Sequence, residues 1–355
     1  MYHSLIQKIQ SRISHWASKN LSYAGRVQLL NSAIFGLESF WCSCLFLPAT
    51  VIGHIERLCR QFIWGYSQGT RKLIFFSWEK VCRSSRAGGF DIREILSWNK
   101  TLMMKQFWKL FCSSRTVWTN WMHAYIIKDA DLWTIQPLVS SSFLWKRFLQ
   151  LRDHLIHKTG MHQAQLLRAT GPPRLRLRLT YQALRGAMPN LFWTKALMDP
   201  VIMPRYKVIV LLAFQNSLST TDNLCKRGFH MVSRCILCLK AEETTSHLFF
   251  DCEYSSGVLQ ALFTWQGITR RPLSLKHEIR RQAQITGKNI RKKWAKCTLS
   301  AAVYNLWAER NARIFQDTCR SSSQLICVIK NVIRIRVLAC MNGLTNEAVS
   351  ISLAS

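Results

Sequence analysis

Apolar residues recur at Leu29, Leu30, Ala33, Ile34, Leu37, Phe40 and Trp41, the spacing of one face of a helix. The period returns after Pro48 at Val51, Ile52, Ile55, Leu58, Cys59, Phe62 and Ile63, with the proline suited to a first helical turn. Gly65 and the polar residues after it end that pattern, residues 73–81 read as a short buried strand or extended segment, and Gly88-Gly89 reads as a turn. Further helices are predicted from about Arg93 to Phe111, from Trp294 to Phe315 and from about Leu325 to Met341, the last two separated by Ser321 to Ser323. Residues 136–190 read as a connector broken by Ser140 to Ser142 and by Gly171-Pro172-Pro173. The alternation that follows predicts a strand with Arg174, Arg176 and Arg178 on one face. No internal repeat is visible, and the predicted fold is mainly α.

Composition changes this picture through charge. The 355 residues carry 49 Lys and Arg against 18 Asp and Glu, a net +31, while 48% hydrophobic content excludes wholesale disorder. Net charge is +10 over residues 1–140, +8 over 141–190, +1 over 191–265, +9 over 266–300 and +3 over 301–355. A nearly neutral module thus lies between strongly basic ones, which suits a polyanionic partner, RNA or DNA. The longest membrane candidate, Phe40 to Gly53, is interrupted by Pro48 and falls short of the roughly twenty apolar residues that spanning needs. The N-terminus has no apolar signal segment, so the expected location is nucleus or cytoplasm, without secretion or a membrane partner.

Thirteen cysteines are an odd number, and reduced thiols or a metal site fit them better than a disulfide framework. Cys235, Cys238, His247 and Cys252 place three thiols and one imidazole within eighteen residues. Zinc takes four such ligands in a tetrahedron, and the two-residue gap lets Cys235 and Cys238 bind from one tight turn. Four protein ligands leave no open position for water, so the expected role of one Zn²⁺ is structural. The other ten cysteines form no second quartet and read as ordinary thiols. His154, His157 and Asp153 read as surface residues. Gly88-Gly89 lacks the spacing of a phosphate-cradling loop.

The segment from Trp193 to Leu259 resembles the reverse-transcriptase zinc-binding domain of plant LINE-type (non-LTR) retrotransposons. The likeness rests on Pro204-Arg205, the Leu218 to Leu224 turn, Glu243-Thr244 and the run from His247 to Cys252. Ser219 stands where that family has Pro, Leu239 where it has Gly, and Leu259 where it has Trp. Upstream, Trp16 with residues 21–48, 77–81 and 88–110 resembles the region following the polymerase palm, and Tyr304 to Phe315 resembles the helix that comes next in those polyproteins. The resemblance implies a helical, thumb-like module over 1–135, a basic connector over 136–190, the zinc-binding domain over 191–265 and a basic helical tail over 266–355.

It also sharpens what is missing. No Asp-Asp pair exists for a two-metal polymerase site, and the eight Asp and ten Glu are scattered. An endonuclease cannot fit before residue 1, and no ribonuclease H strand pattern appears before Ser355, so the chain is expected not to be an enzyme. The function expected is non-specific RNA or DNA binding by a fragment of a retrotransposon polyprotein, in trans with a complete reverse transcriptase. A zinc-stabilised protein-interaction module or a decayed reading frame is the rival. Candidate phosphate ligands are Arg280, Arg281, Arg291, Lys292, Lys293 and Lys296, with Arg174, Arg176 and Arg178 in the connector; Trp294 is placed to stack on a base.

Overall fold

The computed structural model describes residues 2–17, 19, 21–65, 76–111, 116–159, 177–284 and 290–341. Among these the chain is helical and forms no strand. Helix α1 (Tyr2–Ala17) lies against α4 (Ala49–Trp64), while α2 (Tyr23–Leu29) passes through a π turn at Leu30–Ile34 into α3 (Phe35–Cys44). The apolar face read from the sequence of α4 is the buried one, with Val51, Ile52, Ile55, Cys59, Phe62 and Ile63 all inside. Pro48 stands one position earlier than expected, as the N-cap, and Gly65 closes the helix at φ 70°. The Arg26 guanidinium donates to the Phe62 and Ile63 carbonyls at 3.3 Å each, a cation where the helix ends in unpaired carbonyls.

Two strand expectations fail in the described residues. Trp78–Cys82 is a short helix with Ser77 as its N-cap, its side chain accepting from the Lys80 amide. Leu177–Arg185 is helix α7 of this order: α5 (Ile95–Trp108), α6 (Phe143–Thr159), α7. An arginine–leucine alternation contains residues four apart that share a helix face equally well, and α7 packs on α5 through Thr180 and Leu184. Leu73 to Phe75 and Arg174 to Arg176 lie outside the described residues.

The remaining long helices are α8 (Pro204–Phe214), α9 (Glu253–Trp265), α10 (Leu275–Gln284), α11 (Ile290–Phe315) and α12 (Ser322–Met341). Helices α11 and α12 form an antiparallel pair that holds α8 on one side and α9 on the other. One buried cluster runs from Leu5 and Ile34 through Leu211, Phe249 and Leu259 to Leu306 and Ile333. A second, around Phe107, Met122, Trp145, Phe148 and Leu155, fills the space between α5 and α6. Its edge is tied by Arg152, 1% exposed, which donates to the Leu132 and Ile135 carbonyls and pairs with Asp153 at 2.7 Å. No helix of the described residues is long and apolar enough to cross a membrane.

Candidate metal centre

The chain approaches the cluster through an extended segment that ends at Cys235. The Cys235 amide donates to the Ala241 carbonyl and the Leu239 amide to the Cys235 carbonyl, both at 2.8 Å, so the loop between closes on itself and turns Cys238 back beside Cys235. Closure requires a left-handed residue, and Leu239 supplies it at φ 58°. The other pair comes from a π turn over His247–Asp251, opened by the Thr244 hydroxyl, which accepts from the His247 amide at 3.0 Å. The Cys252 amide donates to the His247 carbonyl at 2.8 Å. This five-residue wide turn brings His247 and Cys252 to the same side, which explains why four residues separate them. Leu248, Phe249 and Phe250 are the buried anchor of that turn.

The four ligand atoms all lie within 4.8 Å of one another. The Cys235 and Cys252 sulfurs are 3.9 Å apart, and Cys238 Sγ is 3.3 Å from His247 Nε2. Two thiolates on one tetrahedral zinc sit about 3.8 Å apart. The donor set and its spacing therefore fit zinc. Cys235 and Cys252 are fully buried, while Cys238 and His247 are half-buried. Cys252 is the N-cap of α9. A hydrogen bond from the Cys235 thiol, with the Ser255 and Tyr254 amides behind it, pulls the Cys252 thiol down to about 5. The same hydrogen bond, together with burial, pushes Cys235 up. Zinc takes cysteine as thiolate, so a metal cation at this cluster would favour the deprotonated form of both thiols.

What holds this loop in place is α11. Arg310, 4% exposed at its side chain, makes a two-pronged ion pair with Glu243, itself 1% exposed, at 2.7 and 3.1 Å. Glu243 also accepts from the Thr221 amide at 2.9 Å, so the Leu218 to Leu224 turn, the cluster and α11 share one carboxylate. One helical turn further on, Arg313 donates to the Leu237 carbonyl at 3.2 Å inside the Cys235–Cys238 turn and lies over the Tyr254 ring at 4.6 Å. Glu309 fixes Arg313 at 3.0 Å. Sequence reading singled out Glu243 as a motif letter and Arg310 not at all. The available signal was scarcity: six acidic residues in 191–265, three of them (Glu242, Glu243 and Asp251) between Cys235 and Cys252, in a chain with a strong cationic excess.

The expected phosphate ligands are dispersed. Arg280 and Arg281 are exposed on α10, and Arg178 is exposed on α7. Lys293 is half-buried on α11. Arg291 and Lys292 belong to α11, with side chains outside the description, as are Arg174 and Arg176 entirely. Lys296 turns inward, its ammonium 2.6 Å from the Asp199 carboxylate and 13% exposed, so its charge is spent on the fold. Trp294 packs on Trp265 with ring centroids 4.9 Å apart rather than standing free for a base.

Residues 176–258 match the family model described as zinc-binding in reverse transcriptase. A putative ribonuclease H protein of Arabidopsis thaliana is 30% identical over 161 residues, 44% of this chain and 26% of that protein. An uncharacterized mitochondrial protein of the same plant is 20% identical over 120 residues, 34% of this chain and 78% of that protein. The resemblance to a plant retroelement reverse-transcriptase region is thus shown, as is a zinc-binding family segment enclosing the Cys-Cys-His-Cys cluster. One expectation is corrected. The chain was expected not to be an enzyme because its sequence was read as lacking polymerase, endonuclease and ribonuclease H units. The relative named as a ribonuclease H protein overturns that inference, and this chain spans only about a quarter of that relative's length.

Proposed function

We propose that this chain is a nucleic-acid-binding region of a plant retroelement reverse transcriptase, organised around one structural zinc held by Cys235, Cys238, His247 and Cys252. The observation that carries the reading is the convergence of those four donor atoms within 4.8 Å, on a loop that α11 braces from behind. Zinc in a closed site of this kind supplies folding free energy and no open coordination position. The protein's own groups do the rest. Backbone amides at the start of α9 support the Cys252 thiolate, the π turn fixes the spacing of His247 and Cys252, and Glu243 ties the loop to α11.

The nearly neutral zinc module then acts as a scaffold, and flanking cations hold RNA or DNA through phosphates without reading bases. Arg178, Arg280, Arg281 and Lys293 are the described members of that set, with Arg174, Arg176, Arg291 and Lys292 joining from sequence. The excess of +9 over residues 266–300 and the name of the Arabidopsis relative both favour a nucleic-acid partner. The test is filter binding of single-stranded RNA to the zinc-loaded full chain across salt, with zinc removed by a chelator in a parallel series. Affinity is expected to fall by about 10³ or more between 50 and 200 mM salt if six or more phosphates are neutralised. Chelation is expected to abolish the cooperative thermal transition. RNA affinity that is absent at low salt, or insensitive to salt, contradicts the partner; a melting curve unchanged by chelation contradicts the zinc.

A further inference from the structure

Outside the cysteine cluster, the Ser84 to Arg86 turn, the segment leading into α5 and the α7 helix enclose a cleft of about 960 Å³. Arg86, Arg93, Lys158, Arg178 and Arg185 line it, against a single carboxylate, Asp91. That carboxylate is already engaged, accepting from the Ser85 amide at 2.8 Å. Of the five cations only Arg185 approaches an acid, Glu94 at 4.0 Å, and it also donates to the Tyr181 hydroxyl at 3.3 Å. Lys158 donates to the Leu184 carbonyl at 2.8 Å and keeps its charge unpaired. Arg86, Arg93 and Arg178 are exposed and meet no carboxylate among the described residues; Arg93 lies over the Trp98 ring, its guanidinium carbon 4.3 Å from the centroid.

The walls are built, not incidental. The turn bearing Arg86 closes with its carbonyl accepting from the Leu191 amide at 3.1 Å and the Thr194 hydroxyl at 3.2 Å, which pins it to the beginning of the zinc-binding segment. Gly88 at φ 78° lies so close to Trp193 that a Cβ would sit 2.7 Å from the ring, and one on Gly89 would collide with the Arg83 carbonyl. The floor is set by Tyr181, whose hydroxyl accepts from the Glu94 amide at 2.9 Å. His154, one turn before Lys158 on α6, is held below its usual pKa first by burial and then by the cations Lys100, Lys158 and His157.

We infer that this cleft is a phosphodiester-binding track, taking the sugar-phosphate backbone of a single-stranded nucleic acid along Arg178, Arg86 and Arg93. Planar guanidiniums suit bidentate contact with phosphate oxygens, and the five cations face one occupied carboxylate, so an anionic ligand relieves their mutual repulsion. Tyr181 is committed to the fold and no other ring among the described residues lines the cleft, so backbone is bound and bases are not read. The inference rests on the nucleic-acid reading above and adds where the strand lies.

The test compares two triple variants of the zinc-loaded full chain that remove equal charge: Arg86→Gln, Arg93→Gln, Arg178→Gln in the cleft, and Lys8→Gln, Arg12→Gln, Arg57→Gln on exposed faces of α1 and α4. Unchanged melting temperature and zinc content qualify each as folded; single Arg86→Gln and Arg178→Gln variants serve if the cleft triple is not. The cleft triple is expected to reduce the slope of log affinity against log salt for single-stranded RNA by about 2, and affinity at low salt by at least about tenfold. The α1 and α4 triple is expected to leave the slope nearly intact. Equal losses from both triples mean diffuse attraction and overturn the track. Pyrophosphate that displaces RNA as well as a short oligoribonucleotide does, at equal phosphate, marks a small-anion pocket and overturns it too. Wild-type chain that fails to bind RNA at all removes the nucleic-acid reading itself, a result distinct from equal losses.

Discussion

Leu239 sits at φ 58°, half-exposed, in the turn that returns the chain past Cys238. A left-handed conformation costs a branched side chain about 1–2 kcal/mol, because Cβ crowds the following carbonyl, and costs glycine nothing of that kind. The loop keeps it because two hydrogen bonds depend on it: the Leu239 amide to Cys235 and the Leu239 carbonyl from Arg234 Nε at 2.6 Å. Leu239→Gly is therefore expected to stabilise the zinc-loaded protein by about 1 kcal/mol, read as a raised urea midpoint with unchanged slope. A lowered midpoint contradicts the assignment of strain to this residue. The family resemblance already marked Leu239 as standing where glycine is usual; the backbone angle supplies the reason. The four residues whose donor atoms converge within 4.8 Å were equally legible, since Cys and His at metal spacing leave few alternatives.

At the level of elements, α11 does more than follow the zinc-binding segment. Its Arg310 neutralises a carboxylate that simultaneously anchors the Leu218 to Leu224 turn, and its Arg313 bonds the turn carrying Cys235 and Cys238. Removing one member of a buried ion pair leaves a desolvated charge and costs about 3–5 kcal/mol. Arg310→Met is expected to lower unfolding free energy by about that amount, and adding Glu243→Gln in the same chain is expected to recover a good part of it. A loss below about 1 kcal/mol contradicts the clamp. The position of α4 was legible because the 3.6-residue period of its apolar side chains survives as its buried face. The described end of the Arg174 to Leu179 alternation, Leu177 to Leu179, is helical rather than extended because a short run fits two periods. Tertiary packing of Thr180 and Leu184 decided for helix. Nothing local in the sequence encodes that Arg310 meets Glu243 across 67 residues.

Across the whole molecule, the net charge of +31 divides into cations that build the fold and cations that face outward. Arg152, Lys296, Arg310 and Arg336 are among the first kind; Arg336 donates to the Val201 and Pro200 carbonyls at 2.9 and 2.8 Å from a buried position. Composition sees all of these as equivalent, which is why Lys296 read as a phosphate ligand. The outward set includes the cleft of Arg86, Arg93 and Arg178, which sequence reading recognised only through Arg178. The cysteine cluster joins these parts, since Cys235, Cys252 and the Leu248 to Phe250 anchor belong to the same buried core as α1, α4, α11 and α12. The most direct measurement is therefore a native mass spectrum of the purified full chain beside its Cys252→Ser variant. The account predicts one zinc bound per chain in the first and none in the second. A metal-free chain that is folded, or a Cys252→Ser variant that keeps its zinc, contradicts it.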